Sequence, residues 1–171
     1  DIIETVVSDA SLAGWEGFGV VVQSYQKRTP YTIDYLADLA RRIGRRLQVR
    51  LVKGAYWDAE IKRAQIDGLP AYPVFTRKQN TDVSYLACAK RLFGHSDAIY
   101  PMFATHNAHT IASIKVIAQG RTYEHQKLHG MGDDLYAEVI PADRLDVPCR
   151  VYAPVGSHED LLPYLVRRLL E

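Results

Sequence analysis

Cysteine is scarce in this chain of 171 residues, which has only Cys88 and Cys149. Two thiols cannot build the disulfide framework of a small secreted domain; they suit a reducing compartment, each as a small packed side chain. An excess of one charge is also missing. Lys and Arg number 21 against 20 Asp and Glu, a net of +1 with no basic block, so a nucleic-acid surface has no support. No apolar run approaches the roughly 18 residues that a membrane-spanning helix needs, and nothing near Asp1 reads as a secretion signal. G-x-G-x-x-G, P-loop and G-x-S-x-G sequences are absent, so nicotinamide, nucleotide-triphosphatase and serine-hydrolase readings have no anchor. Repeats and low-complexity tracts are absent too.

What remains is ordinary for a globular protein, 47% hydrophobic and 24% charged, and long enough to bury one core. The chain opens on Asp1 and closes on Glu171 inside a helical pattern, so a segment of something longer is expected.

Strands and helices alternate. Strands are expected at Gly17–Gln23, Arg46–Gly54, Ala98–Thr105, Tyr123–Leu128 and Cys149–Ala153. The second alternates strictly before breaking at Gly54, and Pro101 weakens the third. Between them, Thr29-Pro30 reads as a helix start with Thr29 as N-cap and proline first, ending at Gly44. Further helices are expected over Ala59–Arg63 and Thr81–Leu92, from Asn107 to Gln119-Gly120, and around Leu135–Val139. Ser157 with Asp160 looks like a capping box for the last one.

Such alternation predicts a parallel sheet with helical cover, either doubly wound or a (β/α)8 barrel. One pattern favours the TIM-like barrel. Gln23, Lys53 to Trp57, His106-Asn107, His129 and the loop after Tyr152 all follow strands, and a barrel gathers those loops at one mouth. The fold expected is therefore α/β, with this chain supplying about five of eight strands. A barrel of about 250 residues needs about three more βα units, expected before Asp1.

Histidine could ligate a metal: His106 and His109 are three apart, His125 and His129 four apart. No H-x-H pair occurs on one strand and no aspartate follows the last, so no metal is expected. The mouth is instead rich in donors and aromatics, which suits an organic cofactor whose ring carries the chemistry. For each aromatic singly, core packing remains the better reading.

The last helix carries Arg167-Arg168 beside an apolar stripe of Leu161, Leu162, Leu165, Val166, Leu169 and Leu170. At about 100° per residue, Arg168 falls at the edge of that stripe. Two adjacent guanidiniums suit a carboxylate or phosphate, and Glu171 is placed to hold them. Taken alone, a solvated basic helix end is the better reading.

Several stretches change that balance: Arg50-Leu51-Val52-Lys53-Gly54-Ala55-Tyr56-Trp57, Tyr72-Pro73-Val74-Phe75-Thr76-Arg77-Lys78, Ala104-Thr105-His106-Asn107-Ala108-His109-Thr110, Leu128-His129-Gly130-Met131-Gly132, Arg150-Val151-Tyr152-Ala153-Pro154-Val155-Gly156 and Tyr164 to Glu171. Together they resemble the flavin-dependent proline dehydrogenases, above all the bacterial proline utilization A branch. The resemblance covers the whole chain, 1–171, as the C-terminal portion of the barrel.

It implies a barrel that binds FAD, oxidises L-proline to Δ1-pyrroline-5-carboxylate and passes electrons to a quinone. Arg50 matches the arginine that hydrogen-bonds flavin N5, and Gln23, Val52, Gly54, Ala55 and Trp57 match flavin contacts. Thr76, Arg77 and Lys78 match the adenine and phosphate end; Thr105, His106, Asn107, Gln126, Leu128 and Glu171 match further FAD contacts. Arg167 and Arg168 match the pair that grips the substrate carboxylate. Leu51, Tyr56, Leu128, Tyr152 and Tyr164 match the walls of the proline pocket. Arg50, Tyr152, Arg167 and Arg168 form the implied catalytic set.

The family's remaining pocket residues, an aspartate and a lysine, belong to earlier strands. His125 stands where an aromatic is expected and Lys127 where the family varies, and both are expected to bear on flavin contacts. The resemblance also implies a cytoplasmic enzyme. It leaves room for a pyrroline-5-carboxylate dehydrogenase domain in the same polypeptide and for peripheral attachment at the inner membrane face. The competing readings are a metal-dependent barrel hydrolase using His106, His125 and His129, and a barrel fragment held by a partner chain.

Overall fold

The computed structural model describes residues 2–169; the side chains at 160, 163, 164 and 167–169 lie outside the description. Five strands form one sheet: β1 (Gly19–Gln23), β2 (Leu47–Val52), β3 (Ile99–Ala104), β4 (Glu124–Leu128) and β5 (Cys149–Tyr152). Their order in space is their order in the chain, and every neighbouring pair is parallel. All carboxyl ends therefore lie along one edge. Among the described residues there are also seven α-helices, α1 (Ile2–Val7), α2 (Thr29–Arg42), α3 (Trp57–Ile66), α4 (Lys78–Gly94), α5 (Ala108–Ala118), α6 (Asp133–Ala137) and α7 (His158–Leu169), and a 3-10 turn at Ala10–Leu12.

The alternation in β2 decides which face is which. Leu47, Val49 and Leu51 are buried, while Gln48, Arg50 and Val52 between them are half-buried. Side chains two apart share a face, so the first set packs with Ile33 and Leu36 of α2, Tyr85 and Leu92 of α4, and Ile114 of α5 in one core. The register carries the second set across the sheet, from Val21 through Arg50 and Met102 to Glu124, and from Ala104 through Gln126 to Arg150. Helices cover one side. The other is a polar face.

Three local expectations change. The cap of α2 is Arg28, with Pro30 one position further in than expected, because the Thr29 hydroxyl donates to the Gln23 carbonyl at 2.5 Å instead of capping the helix. That bond ties the start of α2 to the end of β1. Helix α3 begins at Trp57, ahead of the expected Ala59, with Asp58 and Glu60 in its first turn where the helix dipole favours acids. Helix α4 begins at Lys78, not Thr81, supported by a Lys78–Asp82 ion pair one turn apart. Pro101 is accommodated in β3 because β4 pairs only from Met102 onward.

Candidate active site

Loops leaving the carboxyl ends of the strands surround a cleft of 390 Å³. It is lined by Val21, Gln23, Arg50, Val52, Lys53, Gly54, Ala55, Tyr56, Ala104, Thr105, His106, Asn107 and Tyr152. Ten residues that the resemblance assigns to the site thus meet in one place: Gln23, Arg50, Val52, Gly54, Ala55, Tyr56, Thr105, His106, Asn107 and Tyr152. Gln126 and Leu128 lie on the same sheet face, in register with Ala104 and Tyr152 respectively.

Others fall outside the cleft lining. Thr76, Arg77 and Lys78 are exposed where α4 begins. Trp57 stands at the first turn of α3, its indole N–H donating to the Phe75 carbonyl at 2.8 Å. Leu51 departs from the expected pocket wall. It is 0% exposed in the core under the helices, because strand alternation sends it to the opposite face from Arg50. The side chains of Tyr164, Arg167 and Arg168, and all of Glu171, lie outside the described residues.

Backbone geometry shapes the cleft at two glycines. Gly54 has φ +135°, and a Cβ there would lie 2.5 Å from the Tyr25 ring. Only glycine lets the loop after β2 lie so close to that buried ring. Gly132 has φ +70° with the His106 ring 3.1 Å from a virtual Cβ, so the α6 entry turn packs against His106. Burial, and secondarily the charge of Lys127, lowers the pKa of His106. Its Nε2 accepts the Leu128 backbone N–H at 3.1 Å, which leaves Nδ1 as the donor of a neutral ring.

Two buried tyrosines, absent from the sequence expectations, hold strand ends together. The Tyr85 hydroxyl donates to the carbonyls of Leu51 and Ala104, both at 3.3 Å, joining β2 to β3. The Tyr136 hydroxyl does the same for Thr105 at 2.8 Å and Gln126 at 3.4 Å, joining β3 to β4. Burial raises the pKa of both. Lys53 and Lys78 share Asp82, at 2.5 and 3.3 Å, linking the end of β2 to the start of α4. Burial pushes the Asp82 carboxyl up, but the two lysines outweigh it and the net shift is downward. The i,i+4 spacing of Lys78 and Asp82 was a usable sequence signal; nothing local marks the tyrosines.

Arg50 and Lys53 are the cations of the cleft lining, and Lys53 is paired with Asp82. The Arg50 guanidinium lies over the Tyr152 ring at 5.1 Å, and Nη1 points to Gln126 Oε1 at a long 3.5 Å. Its Nε is buried and makes no hydrogen bond among the described residues. An idle buried donor is costly, by about 1–3 kcal/mol, unless a ligand supplies the acceptor.

His125 and Lys127 do not face the cleft, contrary to the expectation that they bear on flavin contacts. His125 is wholly buried, set edge-on to Tyr123 and Tyr136 and tilted to Phe103. It fills the place of an aromatic, as one. Lys127 pairs with Asp133 and lies over the Tyr136 ring. The alternative histidine trio is split: His106 faces the cleft, His125 the helix-side core, and His129 is exposed. Among the described residues, no group of three or more His, Cys, Asp or Glu is placed to hold a metal ion.

A chain-ordered parallel sheet, helices on one face and a polar cleft at the strand ends define this chain as α/β, five strands of a (β/α)8 barrel. Among solved structures it is similar to a variant of Bradyrhizobium japonicum Proline Utilization A (PutA), with a TM-score of 0.91 and 56% identity over 100% of this chain and 18% of that one. PutA from Bdellovibrio bacteriovorus inactivated by N-propargylglycine gives a TM-score of 0.89 and 35% identity, over 99% of this chain and 18% of that one. In sequence the chain is 61% identical over 178 aligned positions to the Bifunctional protein PutA of Klebsiella aerogenes, covering 100% of this chain and 14% of that protein. The family model described as Proline dehydrogenase matches residues 1–171, and the chain belongs to the proline dehydrogenase family. It spans about 14% of the length of PutA relatives such as those of Klebsiella aerogenes and Escherichia coli.

Proposed function

We propose that this chain is the C-terminal portion of an FAD-binding barrel that oxidises L-proline to Δ1-pyrroline-5-carboxylate. The observation that carries the reading is Arg50: a half-buried cation whose buried Nε is idle among the described residues, in a cleft that also gathers nine other expected residues. A flavin suits that donor set, since its ring edge offers acceptors and its phosphates suit the cationic start of α4 at Arg77 and Lys78. FAD, when bound, supplies the hydride acceptor for the C–H bond beside the proline nitrogen.

The chain's own residues have separate tasks. Arg50 sets positive charge against the cleft and so favours a ligand that gains electrons. Tyr152, stacked on Arg50, keeps the guanidinium in place and walls the substrate space, with Tyr56, Leu128 and Tyr164. Gln23, Val52, Gly54, Ala55, Trp57, Thr76, Thr105, His106, Asn107, Gln126 and Glu171 are assigned to the cofactor. Arg167 and Arg168 are assigned to the substrate carboxylate, about 1.5–3 kcal/mol for each charge-assisted bond, which fixes the ring for reaction. Leu51 has no place in the pocket wall, because its side chain lies in the helix-side core.

The whole polypeptide is proposed to be cytoplasmic, to pass electrons to a quinone at the inner membrane face, and to carry a pyrroline-5-carboxylate dehydrogenase domain. No described helix is long and apolar enough to cross a membrane. Purifying the complete polypeptide and recording its visible spectrum tests the reading. Flavin bands that bleach on anaerobic addition of L-proline are expected; a colourless protein, or bands indifferent to proline, would contradict it.

A further inference from the structure

Beside Gln126 on the same sheet face stand Glu124 and Arg150, which the proposed reaction does not use. Glu124 is 5% exposed. Its two oxygens take a forked pair of bonds from Arg150, Nε at 2.9 Å and Nη2 at 3.1 Å. Glu124 Oε1 also accepts from Gln126 Nε2 at 2.9 Å. The opposite end of that amide, Oε1, faces Arg50 Nη1 at 3.5 Å.

An ionised carboxylate only accepts hydrogen bonds, so the nitrogen of Gln126 must turn toward Glu124 and its oxygen toward Arg50. An unconstrained amide could turn over and set N–H against N–H. We infer that Glu124 is a positioning residue: it locks the Gln126 amide in the one orientation that offers Arg50 an acceptor, and so fixes the guanidinium in the cleft. Arg150 holds Glu124 in turn. The inference rests on the proposed flavin chemistry at Arg50, and it extends the functional set down to a pair that looks like structural filling.

The sign of one measurement separates positioning from simple charge and from packing. Glu124 Oε1 accepts from Arg150 Nε and Gln126 Nε2 alike, so the test removes that oxygen outright. In Glu124→Met the Gln126 amide keeps only the weak Met102 Sδ acceptor and is free to present N–H to Arg50. A displaced Arg50 stabilises the reduced cofactor less, and the flavin midpoint potential falls. Removing a negative charge by itself would raise it. A packing role would lower thermal stability and leave the potential alone.

The test uses the complete flavoprotein. Wild-type flavin content and bleaching by L-proline test the underlying reading separately. Given those, Glu124→Met is expected to lower kcat about tenfold with KM for proline within about twofold. Its potential is expected to move negative by about 30 mV, the two-electron equivalent of tenfold. Should Glu124→Met fail to fold, Glu124→Met with Arg150→Met replaces the pair without leaving a lone charge. It removes the acceptor that orients Gln126, and the same negative shift is expected. An unchanged or more positive potential in whichever variant folds would overturn the inference.

Discussion

Gly54 and His125 are each constrained by a ring, on opposite faces of the sheet. At Gly54 the positive φ and the Tyr25 ring 2.5 Å from a virtual Cβ leave no room for a methyl group. Gly54→Ala is expected to cost about 1–3 kcal/mol, read as a lower unfolding temperature, since both backbone and ring must move. His125 is held neutral by burial, its pKa lowered from 6.5 to about 4. The unfolded chain therefore binds a proton at a higher pH than the folded one does. Stability is complete above about pH 6.5 and is lost as pH falls towards 4, by up to about 3 kcal/mol. His125→Phe keeps the aromatic packing and removes the proton. Denaturant titrations at pH 7 and pH 5 should differ less in the variant; an undiminished difference would locate the acid sensitivity elsewhere. In the sequence His125 looked like a departure near the flavin, because a one-residue step along a strand exchanges the faces and only register tells them apart.

The elements were legible in proportion to their periodicity. Strict alternation in β2 and the punctuation of Asn107 and Gly120 around α5 left little freedom, and both stand where the pattern put them. Helix starts were harder to read. Thr29 resembles a cap, but its hydroxyl is spent on Gln23, a tertiary bond invisible to local pattern. The same limit hid Tyr85 and Tyr136, whose value is to satisfy carbonyls where parallel strands part. Tyr136→Phe deletes a hydroxyl bonded to both Thr105 and Gln126. It is expected to cost about 1–3 kcal/mol by leaving buried acceptors unmet, and to speed amide exchange at the end of β4. A variant as stable as wild type would mean that those carbonyls find other partners.

At the scale of the whole molecule, the fold was readable because polar residues recur after strand after strand, and a chain-ordered parallel sheet brings all of those places to one edge. Site membership was less so. Knowing that Arg50 and Leu51 adjoin does not say which one faces the cleft, and a motif carries both along together. What the fold adds is an inner face on which Arg50, Tyr152, Gln126 and Glu124 are coupled, while the helix side holds the apolar core. The account depends on Arg50 standing where electrons arrive from the substrate. Anaerobic rapid mixing of the complete flavoprotein with L-proline, followed at the flavin absorbance, tests that most directly. Arg50→Met should retain its flavin and reduce it about 100-fold or more slowly than wild type. Reduction of the variant at the wild-type rate would contradict the account.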